Sequence, residues 1–107
     1  MTKQEALQFA NWTTDKCTPE DQVPCDICID EENLWMYFPD EAHGVLTCSI
    51  DLSDTVSSIE IVVWCDPFEG DFQEYEEMEN VHLAYDLASA KSIFASWYHD
   101  LKDIGRL

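Results

Sequence analysis

The stretch VLTCSIDL, residues 45–52, alternates from its second residue on: Leu46, Cys48, Ile50 and Leu52 share one side of an extended chain, and Thr47, Ser49 and Asp51 the other. A repeat of two scatters its apolar residues around a 3.6-residue helical turn, so the segment is a strand with one dry and one wet face. Such a strand belongs in an antiparallel sheet covered on its dry side. A second run, SSIEIVVWC (57–65), follows Ser53, Asp54 and Thr55, turn formers through their local side-chain bonding, and the two runs make a hairpin. Upstream, DICID (26–30) and LWMYF (34–38) flank Glu31, Glu32 and Asn33 and make another, which Pro39 closes.

Not every strand is so one-sided. Ile59, Ile61 and Val63 face one way, but Val62 and Trp64 share the opposite face with Glu60 and Asp66, and Trp35 and Tyr37 oppose Leu34, Met36 and Phe38. Part of the second face is therefore expected to lie under a helix, the commoner fate of aromatics, or else to form an apolar patch for a partner.

Three helices are expected around the strands. Thr2 and Glu5 make a capping box, with Ala6, Phe9, Ala10 and Trp12 or Thr13 at helical spacing over residues 3–14. Residues 16–24, with two prolines, read as a loop. At the other end Asp86 caps a long amphipathic run in which Leu87, Ala90, Phe94, Trp97 or Tyr98, Leu101 and Ile104 recur until Gly105. Between them, DPFEGDFQEYEEMEN (66–80) begins like a helix: Asp66 as cap, Pro67 first, Glu69 third, then Phe68, Phe72, Tyr75 and Met78 along one side. Gly70 weakens that helix by roughly 1 kcal/mol relative to alanine. The expected class is α+β: an antiparallel sheet of about four strands in two hairpins, flanked by an N-terminal helix, an acidic helix near 67–79 and a long C-terminal helix. At 107 residues, with 46% apolar content and no linker or repeat, a single domain over residues 1–107 is expected.

Charge sets this chain apart. It holds 23 Asp and Glu against 5 Lys and Arg, a net charge of -18. The bases are Lys3, Lys16, Lys91, Lys102 and Arg106, so residues 17–90 contain none, while 19 of the 23 acids lie there. A net charge of about 2 to 8 in magnitude serves solubility, and like charges this crowded destabilise a compact state. Such a field repels nucleic acid and anionic lipid and attracts basic surfaces, which argues against direct nucleic-acid or membrane binding. With neither a signal-peptide run nor a window of 18 apolar residues, a cytoplasmic location is expected. Asn11-Trp12-Thr13 matches a glycosylation sequon, a pattern short enough to arise by chance.

Known chemistries find little to work with. Cys17, Cys25, Cys28, Cys48 and Cys65 include one Cys-x-x-Cys, whereas a four-cysteine zinc site takes two close pairs. In a strand, the offset of three sends the Cys25 and Cys28 sulfurs to opposite faces, and Cys48 and Cys65 fall at inward positions. No metal or other cofactor is expected. A calcium loop centred on Gly70 would put Cys65 and Pro67 where carboxylates are required. No nucleophile motif, phosphate loop or metalloprotease signature occurs, and His43, His82 and His99 stand in unrelated contexts, so no catalytic residue is assigned.

What remains is binding through acid. Outward residues of a strand recur every ~6.6 Å and those of a helix every ~5 to 6 Å, so carboxylates on both can form a near-regular anionic row. The candidates are Asp26 and Asp30 on one strand, Glu31 and Glu32 at its turn, Asp40 and Glu41 after the next, and Asp66, Glu69, Asp71, Glu74, Glu76, Glu77 and Glu79 in the acidic stretch. In charge and size the chain resembles the DNA-mimic proteins with which phages block restriction or CRISPR effectors. That resemblance implies a non-enzymatic inhibitor seated in the basic groove of a nucleic-acid-handling protein. The alternatives are an immunity protein covering a nuclease toxin and, from the cysteines, a small zinc-stabilised adaptor.

Overall fold

The computed structural model describes residues 1–17, 25–42, 44–52, 56–65, 78–103, 105 and 107. Its elements run α1 (Lys3–Cys17), β1 (Asp26–Ile29), β2 (Asn33–Phe38), β3 (Leu46–Asp51), β4 (Ile59–Cys65), β5 (Met78–Ala84) and α2 (Leu87–Asp103). The strands form one antiparallel meander in chain order, and α1 and α2 pack together against it. The class is α+β as expected, with five strands where about four were foreseen.

Both helices start where their caps say. The Glu5 amide donates to Thr2 Oγ1 at 3.1 Å and the Thr2 amide to Glu5 Oε1 at 2.9 Å, so each side chain satisfies an amide the helix leaves open. Helix α1 then runs three residues past the expected stop, to Cys17. At α2 the Ser89 amide donates to Asp86 Oδ1 at 2.7 Å. Its last turn closes through Gly105, whose amide reaches the Lys102 carbonyl at 3.0 Å and whose φ of 81° suits glycine.

Register places Leu34, Met36 and Phe38, then Leu46, Cys48 and Ile50, then Ile59, Ile61 and Val63 on one face, all buried beneath the helices. Phe94 of α2 sits at the centre, with ring centroids 5.2 Å from Phe38, 5.8 Å from Trp12, 6.0 Å from Phe9 and 5.6 Å from Tyr98. Of the alternatives left open by periodicity, Thr13 and Tyr98 are the buried members, and Trp12 and Trp97 are half-buried. The Thr13 hydroxyl donates to the Ala10 carbonyl at 2.7 Å and rests 3.2 Å from the Met36 sulfur, tying α1 to β2. The sequon thus lies inside a helix with its threonine buried.

Strand β5 corrects the expected acidic helix at its end. Met78 and Glu79, which would have closed that helix, open the strand instead, paired with Cys65 and Trp64 of β4. The ladder to β4 holds the chain extended there, and side chains then alternate by two: His82 and Ala84 toward the helices, Val81 and Leu83 away. The rest of the expected helix, residues 66–77, lies outside the described residues, as does the turn at Ser53, Asp54 and Thr55.

No helix of the described residues is long and apolar enough to cross a membrane.

Candidate functional site

The face of the sheet away from α1 and α2 carries Asp26 and Cys28 of β1, Trp35 and Tyr37 of β2, Thr47, Ser49 and Asp51 of β3, Glu60 and Val62 of β4, and Val81 and Leu83 of β5. Neither described helix lies over Trp35 and Tyr37 on it, and the expected acidic helix falls at residues that, up to 77, lie outside the described ones. Those two rings are half-buried among their cross-strand neighbours, Val62 is buried, and Val81 and Leu83 are both 46% exposed. Acids rim this apolar centre, with Asp51 and Glu60 exposed. The register position of Glu79, opposite Trp64, lies on the same face.

One end of β1 gathers three of the expected residues. Between β2 and β3 the chain turns back on itself: the Val45 amide donates to the Phe38 carbonyl at 2.9 Å, and Gly44 packs so closely that a Cβ there would stand 3.1 Å from the Asp40 carbonyl oxygen and 3.5 Å from Tyr37 Cβ. Glycine permits that approach by having no side chain. The turn carries Asp40 and Glu41 to Asp26, whose Oδ2 accepts the Glu41 amide at 2.9 Å.

The Cys28 thiol lies 3.9 Å from Glu41 Oε2. Partial burial pushes this thiol above its ordinary pKa, and the Glu41 and Asp26 carboxylates push the same way, since a thiolate there would face two negative charges. Tyr37 is raised too, first by burial, then by Cys28 and Glu41. The cluster holds its protons, the opposite of what an activated nucleophile requires.

The other end of β1 holds Asp30, Glu31 and Glu32, all exposed. Asp30 shapes the turn: its Oδ1 accepts the amides of Glu32 at 2.8 Å and Asn33 at 2.7 Å, while the two glutamates stay exposed. Asp26, Asp40 and Glu41 on one side and Asp30, Glu31 and Glu32 on the other thus form two clusters bracketing β1, about 13 Å apart at ~3.3 Å per residue between Asp26 and Asp30. Asp66, Glu69, Asp71, Glu74, Glu76 and Glu77 lie outside the described residues.

Cys25 packs against the core while Cys28 lies on the far face, as their offset of three requires, and Cys48 is buried on the helix side. The sheet thus separates the sulfurs of Cys28 and Cys48. Among the described residues no three His, Cys, Asp or Glu side chains converge on a point where a metal ion would sit. His82 accepts the Trp97 indole N–H at 3.0 Å through Nε2, a structural bond between β5 and α2, and His99 is exposed on α2.

The charge separates by layer. Lys3 and Lys16 belong to α1, Lys91 and Lys102 to α2, and every charged residue of the strands and their described connections is an acid. No protein-family model matches the chain, and neither a curated protein nor a solved structure matches it.

Proposed function

We propose that the protein is a non-enzymatic, cytoplasmic inhibitor that occupies the basic nucleic-acid-binding groove of another protein, in the manner of a DNA mimic directed at a restriction or CRISPR effector. The observation that carries this reading is the segregation of charge: all four described lysines lie on the helices, while the strands and connections carry only acids. A protein acidic merely for solubility gains nothing from excluding every base from one layer, whereas a surface that must attract a basic groove and repel anionic competitors does. Rigidity adds to this. Carboxylates on ordered strands and on a turn held by Asp30 lose less conformational freedom on binding than those of a floppy acidic tail.

The test begins with capture of the partner on immobilised protein, followed by titration of this protein into the partner's complex with labelled DNA or RNA. Displacement that weakens with salt is expected. Replacing Glu31, Glu32 and Glu41 together by glutamine should slow association by about tenfold and flatten its salt dependence, since long-range attraction acts mainly on encounter. A ternary complex in which nucleic acid and this protein bind without affecting each other sinks the reading.

A further inference from the structure

Strand β1 ends the sheet, and among the described residues no strand pairs with its other side. The Asp30 amide donates to the Asn33 carbonyl at 2.9 Å, so by antiparallel alternation Cys28 and Asp26 face β2 with their backbone groups. The N–H and C=O groups of Ile27 and Ile29 therefore point to the free edge. Their side chains lie toward the helix layer yet are 47% and 61% exposed. An edge whose backbone meets no partner among the described residues, and which carries two exposed β-branched residues, is a template for another strand.

Charge decides which strand fits. A second copy of this chain would bring Asp26, Asp30, Glu31 and Glu32 against their own counterparts, and like charges opposed across a ladder are unfavourable. A basic segment meets the reverse. We propose that the free edge of β1 takes an extended segment of the basic partner as a sixth strand, with Lys or Arg at each end set against the two acid clusters and two apolar residues between them beside Ile27 and Ile29. Alternation gives that segment the form basic, apolar, any, apolar, basic, with the bases on the face of Asp26 and Asp30 and the middle residue opposite Cys28. The inference rests on the proposed function for the partner's basic character, and adds the backbone as the means of recognition.

The probe is a blocked heptapeptide, Lys-Lys-Val-Thr-Val-Lys-Lys, titrated into the isotope-labelled full chain and followed by amide chemical shifts and hydrogen exchange. Saturable shifts centred on Ile27 and Ile29, with exchange of those two amides slowed about tenfold, are expected from new ladder hydrogen bonds. N-methylation of the peptide amides that face β1 should weaken binding by about tenfold while leaving its charge intact.

Ile27→Pro removes one edge donor that β2 does not use, and should weaken the parent peptide to a similar degree. Should that variant unfold, the N-methylated peptide asks the same question of the unaltered chain. Heptalysine binding as tightly as the patterned peptide, with Ile27 and Ile29 unprotected, would overturn strand addition and leave the charge-based reading standing. Absence of peptide binding, or concentration-dependent pairing of the chain with itself through β1, overturns it as well. Loss of competition with nucleic acid in the partner assay would instead strike the proposed function, whatever the peptide does.

Discussion

Strands β1 and β5 both end the sheet, and they meet their surroundings in opposite ways. On β5 the residues toward the helices are engaged: Ala84 is buried and His82 accepts the Trp97 N–H at 3.0 Å, so the exposed apolar groups, Val81 and Leu83, lie on the far side. On β1 the exposed apolar groups, Ile27 and Ile29, lie on the helix side itself. Strand β1 is held by its ladder to β2, by the Asp30 turn and by the Asp26 carboxylate on the Glu41 amide. Strand pairing with these local bonds thus extends the sheet beyond the cover of the described helices. Stability should be correspondingly uneven, with the uncovered strand opening at lower free energy than the covered one.

Phe94→Ala should separate covered from uncovered most strongly. It removes a ring that touches Phe9, Trp12, Phe38 and Tyr98, and urea unfolding should register a loss of about 3 to 5 kcal/mol. Ile29→Ala, on the uncovered edge, should stay within about 0.5 kcal/mol. Comparable losses at the two positions would mean that β1 is packed after all.

Next in size is Trp97→Phe, which keeps the aromatic body and deletes the N–H to His82. A loss of about 0.5 to 1.5 kcal/mol is expected, with β5 amides exchanging faster and β1 amides unchanged. Equal acceleration at both edges would show that this bond does not distinguish them.

A smaller, pH-dependent effect belongs to the cap of α2, the helix that covers β5. The amide and hydroxyl of Ser89 hold the Asp86 carboxyl below its usual range. A carboxyl lowered in the folded state contributes stability above the unfolded value near ~3.9, and that contribution is lost as pH falls through the lowered folded value. Asp86→Asn retains a capping oxygen without the charge, so the wild type should be the more stable at neutral pH and the gap should close in acid. A gap unchanged from pH 7 to pH 3 would assign the stabilisation to geometry alone.

The smallest effect is chemical, at β1. Glu41→Gln removes one of the carboxylates that, with partial burial, raise the Cys28 thiol. Alkylation of Cys28 by iodoacetamide at mildly alkaline pH should then be faster, with melting nearly unchanged. An unchanged rate would mean that burial alone protects the thiol.

Legibility differed between the fold and the site. The hairpins, the capping box, the Asp86 cap and the inward rows of β3 and β4 were all readable, because each depends on neighbours a few residues apart. Strand β5 was not counted because apolar groups stand on both of its sides, Val81 and Leu83 on one and Ala84 on the other, and because the acidic run before it carries helix-start chemistry. The one signal for it was the short β-compatible run VHLAY before the Asp86 cap. Within the candidate site, Glu31 and Glu32 could be placed at a turn, but Asp30, expected on the strand, joins that turn, and the approach of Glu41 to Asp26 and Cys28 could not be foreseen. That approach depends on a chain reversal packed against Tyr37, which Gly44 permits without announcing.

The sequence alone carried the α+β class, the inward rows of β3 and β4, the starts of α1 and α2 and the confinement of bases to the two ends of the chain. These follow from period, caps and composition, all of which act within a few residues or simply count them. The tertiary structure decided that β1 and β5 would be the edges, that both described helices would pack on one face, and that the four lysines would share a layer while two acid clusters bracketed an edge strand with no further strand beside it among the described residues. Strand order and helix cover are settled by contacts between residues far apart in the chain, where the competition is among whole packings, and no local pattern records which of them wins.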